Sequence, residues 1–325
     1  MVRIDPEFVA ATLPDDEKYE GTEVDANVLQ ALPSGITIKW SSTRGASFRA
    51  ILSKLDTILE DGQEKSYFMK VYTLAAVVPG NVPKAVAYGV CASDPNRAFF
   101  LAEFRDMTDE LPDIMDLVSI VAKIHQQPSL NEKFGFNVMT FSGKHASDNT
   151  WCDTWEEFFT RAMRDTMEAK LAIHGPDEEL QELSEKILTK VIPRLIRPME
   201  TEGRRIEPVL LHGDLWHGNV SIDNETKEPV LYDPCCFYGH NDYDFGMWRA
   251  SRCRMNRAHV QAYFKLAKIT EPSEDQDDRQ ALYAMQRMRE LSKEEMRRLV
   301  AKYGGGYEGY LASKEVSPLE ASTKM

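Results

Sequence analysis

Apolar and polar positions alternate with a period of two through the first third of the chain, and the period then lengthens to that of a helix. The runs Ile36 to Trp40, Phe48 to Leu52, Tyr67 to Val71 and Ala98 to Phe104 predict short strands separated by turns. Further on, Leu117, Ile120, Val121 and Ile124 fall on one helical face behind Asp113, a residue suited to cap the helix. The same spacing predicts helices from Trp151 to about Ile173 and from Glu178 to about Ile196, divided at Gly175-Pro176, with four more helical stretches between Asn241 and Tyr303. The expected class is α+β, with a β-rich N-terminal lobe over residues 1–104 and a larger, mainly helical lobe over residues 105–325. The acidic run Glu274 to Asp278 reads as a solvated helix start, and the tail beyond Gly304-Gly305-Gly306 as loose at its end.

One stretch breaks the helical pattern. Val209-Leu210-Leu211 and Val230-Leu231-Tyr232 are short apolar runs, as buried strands require, and each delivers a carboxylate at its end. Between them lies His212-Gly213-Asp214-Leu215-Trp216-His217-Gly218-Asn219, and just after the second run comes Asp233-Pro234. An Asp, an Asn five positions later and a second Asp beyond a short hairpin is the arrangement by which kinase-like folds present a phosphoryl-transfer base and two metal ligands. That reaction needs little covalent help from protein and much electrostatic positioning. Asp214 can take the proton of an acceptor hydroxyl oriented in line with the γ-phosphate of ATP. Asn219 and Asp233 offer the hard oxygen ligands that Mg2+ prefers.

Composition narrows the classes without choosing among them. With 325 residues the chain exceeds most single cores and suits two lobes. Its 42% hydrophobic content supports a folded protein, and a net charge of -13 argues against a nucleic-acid surface. No run approaches the ~18 consecutive apolar residues of a membrane span, and Met1 to Pro6 lacks the apolar segment of a signal peptide. Cys91, Cys152, Cys235, Cys236 and Cys253 form no C-x-x-C pair, which points away from zinc or a disulfide scaffold and toward a reducing cytoplasm.

Gly213-Asp214-Leu215-Trp216-x-Gly218-Asn219, with Asp233-Pro234 and Tyr238-Gly239-His240, resembles the signature of the fructosamine kinase (ketosamine 3-kinase) family, relatives of the aminoglycoside phosphotransferases on a protein-kinase-like fold. Ala122-x-x-x-His125, Phe134-Gly135-Phe136, Trp155 with Phe158-Phe159, and Val82-Pro83-Lys84 with Tyr88-Gly89 extend the resemblance over most of residues 40–310. It implies ATP- and Mg2+-dependent phosphorylation of the sugar 3-hydroxyl of ketosamines, on glycated proteins or on small amines, and hence protein deglycation. It also implies that Asp214 is the base, that Asn219 and Asp233 hold the metal and that Lys70 contacts the α- and β-phosphates. By the same carry-over Gly45, Ala46 and Ser47 cover the phosphates, while Glu103, Phe104 and Arg105 hold adenine through their backbone. Trp216 is read as a substrate wall or as lobe packing, and His217 as a substrate contact or as a hydrogen-bonded structural group. Asp242 and Asp244, at the start of a helix, are read as capping and loop-bracing residues.

The sequence departs from the kinase pattern between Lys70 and Pro83. A helix of ~11 residues with connections of ~2–6 residues at each end does not fit into Val71 to Val82, which also contains no Asp or Glu. The small lobe is therefore expected to lack the helix whose Glu pairs with the strand lysine, either through a shortened transcript or gene model or through true reduction. Three functions follow: a ketosamine 3-kinase, an aminoglycoside- or choline-type small-molecule kinase, and a catalytically impaired pseudokinase.

Overall fold

The computed structural model describes residues 26–32, 37–43, 53–58, 64–68, 77–90, 92, 98–137, 140–142, 145–288 and 292–320. In chain order, helix α1 (Ala26–Ala31) precedes β1 (Thr37–Thr43), β2 (Ser53–Ile58), β3 (Glu64–Phe68), β4 (Ala85–Val90) and β5 (Ala98–Glu103). Then come α2 (Ile114–His125), two three-residue strands, β6 (Thr140–Ser142) and β7 (His145–Ser147), and helices α3 (Trp155–His174), α4 (Glu178–Lys186) and α5 (Ile192–Ile196). Strands β8 (Val209–Leu211), β9 (Val220–Ile222), β10 (Pro229–Leu231) and β11 (Phe237–Gly239) carry the motif residues. A 3-10 turn over Asn241–Arg249 and helices α6 (Arg257–Tyr263), α7 (Gln276–Met288), α8 (Lys293–Tyr303) and α9 (Gly306–Glu320) complete the described chain.

These elements form two compact units. The first comprises residues 1–123, 141–146 and 217–235, and the second residues 124–140, 147–216 and 236–325. In the first, an antiparallel sheet has the strand order β1-β2-β3-β5-β4. The predicted strand at 48–52 lies outside the described residues, and β2 begins at Ser53. Leu117, Ile120 and Val121 of α2 are buried as their spacing required, and Asp113 accepts the amide of Met115 at 2.8 Å as a cap. Hairpin β9–β10 belongs to this same unit, paired Pro229↔Ile222, Val230↔Ser221 and Leu231↔Val220.

Among the described residues no helix lies between β3 and β4; residues 77–84 form turns and coil. That segment has a different task. Val78 and Val82 are buried, the Asn81 side chain donates to the Pro229 carbonyl at 2.9 Å, and the Leu231 amide donates to the Asn81 carbonyl at 2.8 Å. The turn thus pins β10.

The second unit is mainly helical and has one aromatic-rich core. Helix α3 starts after Thr154, whose hydroxyl accepts the Glu157 amide, and half-buried Glu200 accepts the amides of Trp155 and Glu156 at 2.7 and 3.0 Å. Trp155 is fully buried against Phe134, Phe158, Phe237, Tyr243 and Tyr283, and its indole N–H donates to the Tyr283 hydroxyl at 2.9 Å. The predicted helix from Glu178 to Ile196 is realised as α4 and α5 joined by a π-turn over Ile187–Val191. One expectation needs correction. The run Glu274 to Asp278 does begin a helix, but Asp275 and Asp278 are buried rather than solvated. Asp275 pairs with Arg194, and Asp278 with Lys302, Arg298 and the Tyr303 hydroxyl. The chain after Gly304-Gly305-Gly306 continues as helix α9 to Glu320.

Candidate active site

Strand β8 is entirely buried and pairs with β11 in the register Leu211↔Phe237 and Val209↔Gly239, so the chain leaves a fixed strand end at His212. Gly213 adopts φ 75°, a left-handed conformation that costs little only for glycine, and this turn presents Asp214. The loop is held from beneath by Asp244. Its carboxylate accepts the His212 amide at 2.9 Å and the Gly213 amide at 2.8 Å, and it meets His125 Nε2 at 3.1 Å. His125 Nδ1 in turn reaches the Tyr263 hydroxyl at 2.8 Å. Burial alone would push the Asp244 carboxyl up, but the His125 contact and the Gly213 amide hold it below the usual carboxylate range. On the far side of Asp214, the Trp248 indole donates to the Leu215 carbonyl at 3.0 Å. The 3-10 turn over Asn241–Arg249 therefore clamps the motif loop on both flanks of Asp214.

Asp214 itself is half-buried and accepts Arg287 Nη2 at 2.6 Å. Arg287 is absent from the sequence expectations. Its one signal there is a cation two positions beyond the apolar stretch Ala281-Leu282-Tyr283-Ala284-Met285, where burial demands a carboxylate partner.

Asn219 and Asp233 sit at the open end of hairpin β9–β10, in the first unit. The Tyr232 amide donates to the Asn219 carbonyl at 3.0 Å and the Asn219 side-chain amide reaches the Asp233 carbonyl at 3.4 Å. With its nitrogen so engaged, the amide oxygen of Asn219 is the atom suited to a cation. Asp233 has φ 54°, an uncommon conformation for a side chain other than glycine, and such a residue is often found at a functional position. Among the described residues no group of three or more His, Cys, Asp or Glu side chains gathers to cage a metal. One amide and one carboxylate fit Mg2+, which usually takes one or two protein oxygens and completes its shell with phosphates and water.

Of the other predicted positions, Lys70, Gly45, Ala46 and Ser47 lie outside the described residues. Glu103, Phe104 and Arg105 end β5. The Glu103 amide donates to the Lys84 carbonyl at 2.9 Å, and the Arg105 guanidinium bridges Glu103 at 2.5 Å and Asp223 at 3.1 Å, tying the end of β5 to β9. Trp216 and His217 are both half-buried and fall on opposite sides of the division between the units. His240 is a core residue: it is buried, hydrogen-bonded to Tyr283 at 2.9 Å and Thr270 at 2.8 Å, and kept neutral by burial.

Solved structures show where this fold belongs. The structure resembles that of a putative fructosamine-3-kinase from Thermobifida fusca with a TM-score of 0.59 at 19% identity, covering 86% of this chain and 96% of that one. It also resembles a thermostable mutant of an aminoglycoside phosphotransferase, in ternary complex with AMP-PNP and hygromycin B, with a TM-score of 0.53 at 12% identity, covering 85% and 92% of the two chains. The fold is the two-lobed, kinase-like one of small-molecule phosphotransferases. Within that class the chain belongs to the fructosamine kinase family, whose model matches residues 63–293.

Among curated proteins, a chloroplastic protein-ribulosamine 3-kinase of Arabidopsis thaliana is 33% identical over 189 residues, 57% of this chain and 54% of that protein. A ketosamine-3-kinase of Mus musculus is 37% identical over 116 residues, 36% of this chain and 35% of that protein. The chain spans about half the length of the plant relatives it matches.

Proposed function

We propose that this protein transfers the γ-phosphoryl group of ATP to the 3-hydroxyl of a ketosamine, a fructosamine or ribulosamine adduct on a protein amine or a small amine, and so takes part in deglycation. The observation that carries the reading is the Gly213-Asp214 loop braced by Asp244 in a chain of the fructosamine kinase family. The lobe up to residue 104 binds nucleotide and the remainder provides catalysis and substrate binding. In this reading Asp214 accepts the proton of the sugar hydroxyl as its oxygen bonds to phosphorus and ADP departs with the electron pair. Asn219 and Asp233 would hold Mg2+, which supplies charge neutralisation on the phosphates when bound. Lys70 serves the α- and β-phosphates, Gly45, Ala46 and Ser47 cover them, and the 103–105 backbone takes adenine. Trp216 and His217 face the sugar.

Among the described residues no helix is long and apolar enough to cross a membrane, and Cys152, Cys235, Cys236 and Cys253 form no disulfide. A reducing, cytoplasmic setting suits such thiols. The plant relatives are named as chloroplastic.

A second reading, a catalytically impaired kinase, draws on the turn and coil described between β3 and β4. Substitution and metal titration separate the two. Asp233→Ala should raise the Mg2+ concentration needed for half-maximal ATP turnover, and Asn219→Ala should do so less, because a carboxylate contributes charge and an amide only a dipole. An unchanged magnesium dependence in both variants would remove them as ligands. Nucleotide binding without any ADP release would favour the impaired kinase.

A further inference from the structure

Arg287 has a setting that its place on α7 does not require. Its side chain is only 7% exposed, against 27% for Asp214, and its Nη2 donates to Asp214 Oδ1 at 2.6 Å. The guanidinium carbon lies 5.4 Å from the Tyr243 ring centroid, and the Tyr243 hydroxyl donates to the neighbouring Gln286 at 2.5 Å. Gly246 makes this approach feasible: a Cβ there would stand 3.0 Å from the Ala284 backbone nitrogen, so any larger residue would push α7 away from the turn that carries Tyr243 and Asp244. Ring, helix and carboxylate thus hold the guanidinium from three directions. A group so enclosed is not built to swing toward a phosphate.

A planar guanidinium matches a carboxylate in geometry as well as charge, and a short charge-assisted bond from so enclosed a group favours one placement of the aspartate. In a loose phosphoryl-transfer transition state the proton moves late, so placement of the base is the larger part of what it contributes. We propose that Arg287 is a positioning residue for phosphoryl transfer, fixing the Asp214 carboxylate where it receives the proton of the acceptor hydroxyl while the oxygen of that hydroxyl bonds to the γ-phosphorus and ADP leaves. This rests on the reading of Asp214 as the base. Asp214 is thereby set from two sides, by Asp244 through the backbone of the loop and by Arg287 through the side chain.

The test begins with Asp214→Asn in the full chain. Wild-type turnover in that variant would overturn the base itself, before any statement about Arg287. With the base upheld, Arg287→Gln should lower kcat by ~10²-fold while the KM values for ATP and ketosamine stay within about threefold. Arg287→Lys should recover part of the loss, and added guanidinium chloride should restore part of kcat to the Gln variant. In the Asp214→Asn background, Arg287→Gln should produce no further loss, since both act on one group. The proposal is overturned if both Arg287 variants keep wild-type kcat, or if the loss sits in KM. It is equally overturned if the loss multiplies with that of Asp214→Asn and guanidinium restores nothing, which would make Arg287 merely structural.

Discussion

Asp244 and Asp242 stand two positions apart in one 3-10 turn and meet opposite electrostatic fates. Asp244 is surrounded by donors and its carboxyl is held low. Asp242 is fully buried, and burial pushes its carboxyl up to about 6 against the pull of Arg279 and the Gln276 side chain. The linkage signs differ accordingly. A raised carboxyl destabilises the folded protein when ionised, so the Asp242 contribution should make the protein more stable as pH falls from 7.5 through about 6 toward 4. Asp242→Asn should remove that slope and raise stability at pH 7.5 by on the order of 2 kcal/mol, read by urea titration at several pH values. Asp278, held down at about 2 by Lys302, Tyr303 and Arg298 despite its burial, should act the other way, its stabilisation present above about pH 4 and lost as pH falls toward 2. Asp244→Asn replaces an acceptor oxygen by a donor facing the backbone amides of the motif loop. It should lower stability by roughly 1–3 kcal/mol and depress turnover with it, whereas Asp214→Asn, which leaves the buried Arg287 without its carboxylate, should depress turnover far more than its own loss of stability explains.

At the scale of elements, strands and helices with a strong period were legible, and closely supported ones were not. The face of α2 and the strands around the motif followed from spacing, whereas α3 begins at Trp155 behind its Thr154 cap, later than the Trp151 start that spacing suggested. Strand β2 was not read because Ser53–Ile58 carries little alternation and is specified by pairing with β1 and β3 instead. Likewise, the burial of Asp275 and Asp278 depends on Arg194, Arg298 and Lys302, partners from two other helices that local sequence does not reveal. Of the candidate site, the residues on rigid strand ends could be read, and Asp244 was placed as a brace. Arg287 was invisible because its partner is 73 positions away. The short β3–β4 connection leads to a prediction about turnover. Strand lysine and helix glutamate must pair for phosphates to be held productively, so grafting a relative's segment after Val71 and ahead of Val78 should raise turnover by at least about tenfold. Keeping Asn81 preserves its hold on β10. If chain and graft turn over equally fast, Lys70 is positioned by another group and the shortened connection is a working design.

At the scale of the molecule, the Asp214 loop and the Asn219–Asp233 hairpin belong to different compact units although Asn219 is only five positions beyond Asp214. The proposed base and the proposed metal ligands are each held within their own unit: Asp214 through Asp244, Trp248 and Arg287, and the hairpin through Asn81 and the Arg105–Asp223 bridge. The most direct measurement is ADP release by the full chain with Mg-ATP against fructosyl-lysine, ribulosyl-lysine, an aminoglycoside and choline, with the phosphorylated carbon of any product located by phosphorus NMR. The expected result is ADP formed in step with a 3-phosphorylated ketosamine, abolished by Asp214→Asn, and little release with the aminoglycoside or choline. ADP release confined to the aminoglycoside or choline, or ketosamine turnover undiminished by Asp214→Asn, would contradict it.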